Sequence, residues 1–185
     1  MAGQPVAARL DQELMRKVGS KLVEIKPGEG EGLMNKNYVM LPRYTIALVK
    51  EKNLQGDYKT ITESAQAAVV IRKLLLDQDR EHFVVMCMDG KNKIIGISTV
   101  SIGSLTMAIV HPREVFKPAI LMSAAGIIMA HNHPSGDPTP SPEDNELTRR
   151  LVKGSKLLGI TILDHVIVGD KACYYSYADT GALKD

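Results

Sequence analysis

The chain of 185 residues has no tryptophan, two phenylalanines and six tyrosines. Few aromatic side chains means few platforms on which single-stranded nucleic acid can stack. It also leaves the core to aliphatic residues, with methionine as the adaptable filler. Cysteine is equally scarce: Cys87 and Cys173 are far apart and form no C-x-x-C pair. That argues against a disulfide framework and against a structural zinc ribbon. The missing Pro-Cys-x-x-Cys argues against the zinc deaminases, which use a histidine and two cysteines. Cys87 falls in an apolar run, where a buried free thiol is the ordinary reading. Charge of one sign is also lacking: the formal net charge is +2, too mild to demand a nucleic-acid partner. Arg149, Arg150, Lys153 and Lys156 read as a solvated helix face. No apolar run approaches membrane-spanning length, and the N-terminus carries no apolar signal region. These absences lead us to expect a cytoplasmic protein with no membrane contact.

What is present is enough apolar residue, 44% of the chain, for one well-buried core. Val6, Leu10, Leu14 and Val18 recur at helical spacing and predict a short helix over 5–19. A glycine-rich break follows at 27–32, then a strand over 44–49. We divide the chain into an N-terminal arm, 1–58, and one α/β domain, 59–185. In that domain a helix is expected over 62–76, with Val69, Val70, Leu74 and Leu75 on its buried side. Strands over 82–88 and 93–100 are joined by an Asp-Gly hairpin signal. A third strand is expected over 101–110. His111-Pro112 opens a helix to about Ala124, either kinked or divided at Pro118. A strand over 126–130, a helix over 142–157 ending near Gly159, and strands over 161–168 and 172–177 complete the layout.

The most informative stretch is His131-Asn132-His133-Pro134-Ser135-Gly136-Asp137-Pro138-Thr139-Pro140-Ser141-Pro142-Glu143-Asp144. Side chains alternate along a strand, so His131 and His133 point the same way at its carboxyl end. The proline-rich loop that follows has little conformational freedom and can fix Asp144 against them. Ser141-Pro142-Glu143-Asp144 is also a helix start, with a serine cap, proline in the first turn and acids at the positive end. That capping role requires no metal, and it is compatible with a carboxylate that points off the helix end toward the histidines. His131, His133 and Asp144 are three candidate ligands, and three protein ligands leave the fourth tetrahedral position of a zinc ion open, as catalytic sites do.

The pattern His-x-His, seven residues, Ser, two residues, Asp resembles the JAMM motif of the JAB/MPN metallopeptidases. The string 131–136, with Pro112-Arg113-Glu114-Val115-Phe116 and Asp164-His165-Val166-Ile167-Val168-Gly169, resembles the RadC branch in particular. The likeness covers about residues 40–181. It implies a three-layer α/β/α sandwich with a mixed central sheet, related to the cytidine-deaminase-like fold, and one Zn2+ per chain. It also implies a glutamate at the head of a core strand. Glu81 matches that placement; Glu114, inside a helix opening, does not and reads as a helix-dipole carboxylate. By resemblance, Glu81 is the general base and then acid, Ser141 donates to the oxyanion, and a peptide or isopeptide bond in a peptide or protein substrate is cleaved. Asn132, between the ligands, points away and braces the loop; Ser135 and Asp137 line the site or stabilise their own loop. Asp164 and His165, being adjacent, face opposite sides and are expected to hydrogen-bond rather than ligate. His82 and His111 read as structural. The glycine-rich hairpin signature of the helix-hairpin-helix region in full-length RadC patterns is not found in the first sixty residues, which weakens the expectation of a nucleic-acid role. A zinc hydrolase acting on another amide, and an accessory zinc module in a DNA-processing assembly, are the alternatives.

Overall fold

A computed structural model describes residues 43, 45, 48–53, 56–75, 78–103, 110–170 and 172–184. The helix expected over 5–19, the break at 27–32 and most of the third strand expected over 101–110 lie outside these residues. Of the strand expected over 44–49, Thr45, Leu48 and Val49 are described; they are exposed and carry no regular structure.

The described elements are α1 (Ser64–Leu75), β1 (His82–Met88), β2 (Ile94–Ile102), α2 (Pro112–Leu121), β3 (Gly126–Asn132), α3 (Pro142–Leu158), β4 (Thr161–Val168) and β5 (Tyr174–Ser176). The strands form one sheet in the order β2-β1-β3-β4-β5. β3 runs antiparallel to β1 and parallel to β4, so the sheet is mixed. Every residue of β3 is buried, as befits a central strand covered on both faces. Alternation divides the core in two. Phe83, Val85, Cys87, Ile127 and Met129 pack with Val115, Phe116 and Ala119 of α2 and with Leu151 and Val152 of α3. Val84, Met86, Met88, Ile128 and Ala130 pack with Ala67, Ala68, Val70 and Ile71 of α1 on the opposite face. Each aliphatic side chain buried this way contributes about 1.5–3 kcal/mol. The result is the expected α/β/α sandwich. Among the described residues, no helix is long and apolar enough to cross a membrane.

Three local expectations need correction. The buried face of α1 is Ala67, Ala68, Val70, Ile71 and Leu75, whereas Val69 is exposed. Small alanines let the helix approach the sheet, and that close contact, rather than the largest side chains, sets its rotation. α2 runs through Pro118 as one helix, which rules out only the divided alternative, and ends at Leu121 instead of near Ala124. Its first turn is capped by the His111 ring, which accepts from Arg113 N at 3.1 Å. β2 runs on to Ile102, and β5 is only three residues long.

The loop after β3 is docked against the β4–β5 turn. Asp170 N donates to Gly136 O at 2.8 Å, and Arg72 Nη1 donates to Gly169 O at 2.8 Å. A Cβ on Gly169 would stand 2.2 Å from Gly136 O, a backbone atom that cannot step aside cheaply. Gly169→Ala should therefore lower unfolding free energy by about 1–3 kcal/mol at unchanged m-value in urea denaturation. An unshifted midpoint would mean that the two loops are not locked together.

Candidate metal centre

The strand register brings the site together. Phe83 pairs with His131 across the antiparallel β1–β3 ladder. Just beyond that pair, His82 N donates to Asn132 Oδ1 at 2.8 Å, and Glu81 immediately precedes β1. Residues fifty apart in sequence thus meet because β1 begins where β3 ends. His131 continues the row of Ile127 and Met129 on the α2–α3 face, and its ring stacks on Phe83 at 5.8 Å between centroids and 14° between planes. His133 lies just past the strand, where its main-chain N donates to Val168 O at 3.0 Å.

Asp144 arrives from the other direction. Ser141 caps α3 by accepting from Asp144 N at 3.1 Å, and the Asp144 carboxylate accepts from Ser141 N at 2.8 Å. This capping box fixes the carboxylate at the helix entrance. Its Oδ2 lies 3.5 Å from His133 Nε2 as well as taking the cap bond. Oδ2 also accepts from the Ser141 hydroxyl at 2.6 Å, while Oδ1 lies 3.2 Å from His131 Nε2. The cap thus leaves the Asp144 carboxylate facing both histidines, so capping and a candidate ligand role are compatible in one geometry. His131 Nε2 and His133 Nε2 are 3.1 Å apart, and the three candidate ligand atoms all lie within 4.8 Å of one another. His131 is fully buried and Asp144 nearly so.

That donor set fits a divalent metal. Two imidazole nitrogens and one carboxylate oxygen converge, and the rings are aimed by their far nitrogens. His133 Nδ1 donates to Asp137 O at 2.7 Å, which leaves Nε2 with its lone pair toward the site. His131 Nδ1 lies 3.0 Å from His165 Nε2. Only imidazole and carboxylate atoms are offered, a set that suits zinc among other transition metals.

The remaining singled-out residues hold the frame. The Asn132 side chain turns to the opposite face, accepts from His82 N at 2.8 Å and donates to Arg80 O at 3.0 Å. It therefore grips the backbone on both sides of Glu81, rather than the loop after β3. Asp137 reaches the site only through its main-chain oxygen; its carboxylate accepts from Thr139 N and Oγ1. Ser135 stays within the loop, accepting from Asp137 N at 3.4 Å. The Ser141 hydroxyl points to Asp144 because the capping box claims it. Glu114 pairs with Lys117 in the first turns of α2, away from the ligands. Asp164 is buried beneath the C-terminal segment, accepting from Ser176 Oγ at 2.6 Å and Ala178 N at 2.9 Å. Burial pushes its carboxyl up, against the pull of those donors. His165 faces the ligands, and burial followed by the nearby His131 holds its ring well below the ordinary imidazole range. Thr148 was not anticipated. Its position four residues after Asp144, hence on the same helix face, was the available signal.

The ligand carboxylate and ring carry opposite shifts. Burial alone would raise the Asp144 carboxyl, but hydrogen bonds from His131, His133 and Ser141 overrule it and hold it far below its ordinary 3.8. Hydrogen bonding to Asp144 raises the His133 ring above its ordinary 6.5, against partial burial, and Asp137 O and Glu81 add to the rise. Without metal, the raised ring contributes stability below about pH 6.5 that is lost as pH climbs through its folded value. The depressed carboxyl contributes above about pH 4 and is lost on further acidification. The metal-free pair therefore helps most between about pH 4 and 6.5. Metal binding requires deprotonated rings and runs the other way. Added zinc should raise the melting temperature more at pH 8 than at pH 5.5, read by thermal denaturation. An equal shift at both would place the ion elsewhere.

A family model described as a RadC-like JAB domain matches residues 61–182. A UPF0758 protein of Trichlorobacter lovleyi is 40% identical over 181 residues, which is 98% of this chain and 78% of that protein. A UPF0758 protein of Caldanaerobacter subterraneus subsp. tengcongensis is 53% identical over 116 residues, covering 63% of this chain and 50% of its own length. Another, from Methanosarcina mazei, is 56% identical over 108 residues, covering 58% and 47%. The alignments thus span about half the length of these last two relatives. The matched stretch runs from just before α1 to just after β5 and contains Glu81, His131, His133, Ser141 and Asp144, so the chain belongs to the RadC-like JAB domain family.

Proposed function

We propose that the domain is a zinc-dependent hydrolase of the JAMM type that cleaves a peptide or isopeptide bond. The observation that carries this reading is the convergence of His131, His133 and Asp144; Glu81, immediately before β1, is the residue that fits the family's placement of the base. His131 Nε2, His133 Nε2 and Asp144 Oδ1 would hold the ion. Bound zinc lowers the pKa of a water toward about 7 and polarises a carbonyl. Glu81, at the head of β1, would accept the proton of the attacking water and return it to the leaving amine. Asn132 grips the main chain on both sides of Glu81 and so limits where that carboxylate can go. The Ser141 hydroxyl turns from Asp144 Oδ2 to the developing oxyanion, while Asp144 keeps its bond from Ser141 N. Removing such a donor raises the barrier by about 2.7–4 kcal/mol.

The substrate class follows from the family chemistry, as the site itself names no side chain to be recognised. Arg149, Arg150, Lys153 and Lys156 are exposed along α3 and serve here as a solvated face rather than a nucleic-acid groove. A cytoplasmic location and a peptide or protein partner complete the proposal.

The test begins with the metal content of the purified protein beside His131→Ala. About one zinc per chain, lost in the variant, is expected. Glu81→Gln should keep the zinc and lose about 10²–10⁴-fold in hydrolysis of a peptide and isopeptide panel. No zinc uptake at neutral pH would overturn the hydrolase reading. Zinc uptake with a fully active Glu81→Gln variant would overturn the assignment of the base.

A further inference from the structure

Behind His131 lies a row of polar groups that the hydrolytic mechanism does not use. His131 Nδ1 is 3.0 Å from His165 Nε2. His165 Nδ1 is 2.7 Å from Thr148 Oγ1. The Thr148 hydroxyl donates to the main-chain oxygen of Asp144 at 2.6 Å. His131 and His165 are wholly buried and Thr148 is 1% exposed, so no bulk water can substitute for a missing partner. Among the described residues, no buried side-chain nitrogen or oxygen lacks a partner.

Proton counting gives this row a single direction when a metal is bound. A ligating His131 has its lone pair on Nε2, so its one hydrogen sits on Nδ1 and must be donated. The acceptor in reach is His165 Nε2. A neutral His165 with an accepting Nε2 carries its own hydrogen on Nδ1, and that hydrogen goes to Thr148 Oγ1. Thr148 has one hydroxyl hydrogen, and a carbonyl oxygen that can only accept stands 2.6 Å away. The row therefore runs His131 to His165 to Thr148 to Asp144 O. It begins at one ligand and ends on the backbone of another. The reverse direction would put a hydrogen on His131 Nε2 and block ligation.

We propose that His165 and Thr148 are positioning residues that hold His131 in its ligating tautomer, through a one-way hydrogen-bond chain anchored on Asp144. The chain rests on the metal-site reading above. The Tyr177 ring stacks on His165 at 5.0 Å and 10°, which stops the imidazole from turning out of line. Tyr177 is in turn fixed by its hydroxyl, which donates to Asn145 Oδ1 at 3.0 Å. α3 thus supplies a candidate ligand, the end of the chain and, through Asn145, the anchor of the Tyr177 clamp.

The experiment measures zinc affinity by chelator competition for wild type, Thr148→Val, Thr148→Ser and His165→Phe. Nitrogen-15 NMR of the zinc-loaded wild type reads the histidine tautomers. Thr148→Val keeps the side-chain shape and removes the hydroxyl, and a thermal melt of each metal-free variant separates lost zinc affinity from lost fold. Zinc affinity should fall about 10–100-fold in Thr148→Val and His165→Phe, and Thr148→Ser should stay near wild type. His165 in the zinc-loaded protein should carry its hydrogen on Nδ1. A wild type that binds zinc while Thr148→Val and His165→Phe bind equally well would overturn the chain and leave the metal site standing. So would an Nε2-protonated His165. A wild type that takes up no zinc would overturn the metal site itself, and the chain with it.

Discussion

The arrangement depends on one constraint: a fully buried imidazole at the end of a fully buried strand must have both nitrogens occupied. His131 meets it by facing the ligand cluster with Nε2 and His165 with Nδ1. Each partner then needs partners of its own, and the requirement passes outward through Thr148, Asp144 and the α3 cap. In a low-dielectric interior an unpaired member would be expensive, so the network is either complete or destabilising. That condition joins β3, β4 and α3 more specifically than apolar packing would, since packing tolerates small slips and a hydrogen-bond chain does not.

The sheet topology makes the constraint useful. Because β3 and β4 are parallel, their carboxyl ends coincide, and His165 on β4 pairs beside Met129 on β3. Because β1 is antiparallel to β3, its first residues arrive at the same end and deliver Glu81. A candidate base, three candidate ligands and the groups behind them therefore gather at one edge of the sheet without any long excursion of the chain. The glycines at 136 and 169 complete the edge by letting two loops touch backbone to backbone, which sets the Asp137 carbonyl on His133.

The α3 entrance shows economy of another kind. Ser141 and Asp144 form a reciprocal cap, a device found on helices with no catalytic role. Here Oδ2 serves the helix cap and also lies 3.5 Å from His133 Nε2, while Oδ1 faces His131. A substitution that removed the cap would therefore disturb the site even where the ligand itself was kept, and effects on stability and on metal binding at 141 and 144 should be coupled.

Much of this could be read from the chain alone, and the boundary is a physical one. Strand alternation put His131 and His133 on one side, the fully apolar run 126–130 marked a central strand, and Ser-Pro-Glu-Asp marked a helix start, because each signal is local and its period is set by backbone geometry. Glu81 was identified only through the family pattern, since no local signal separates a base at a strand head from a solvated charge. The rotation of α1, the choice between one helix and two at Pro118, the turn of Asn132 toward residues 80–82 and the buried contacts of Thr148 were not legible. Each of these is decided by contacts between residues distant in sequence, where packing and hydrogen-bond completion outweigh propensity. The sequence by itself determined which groups can bind a metal and on which elements they ride. Only the tertiary structure decided which nitrogen of each histidine faces inward, because that choice belongs to the partner on the ring's far side, and those partners come from other strands and helices.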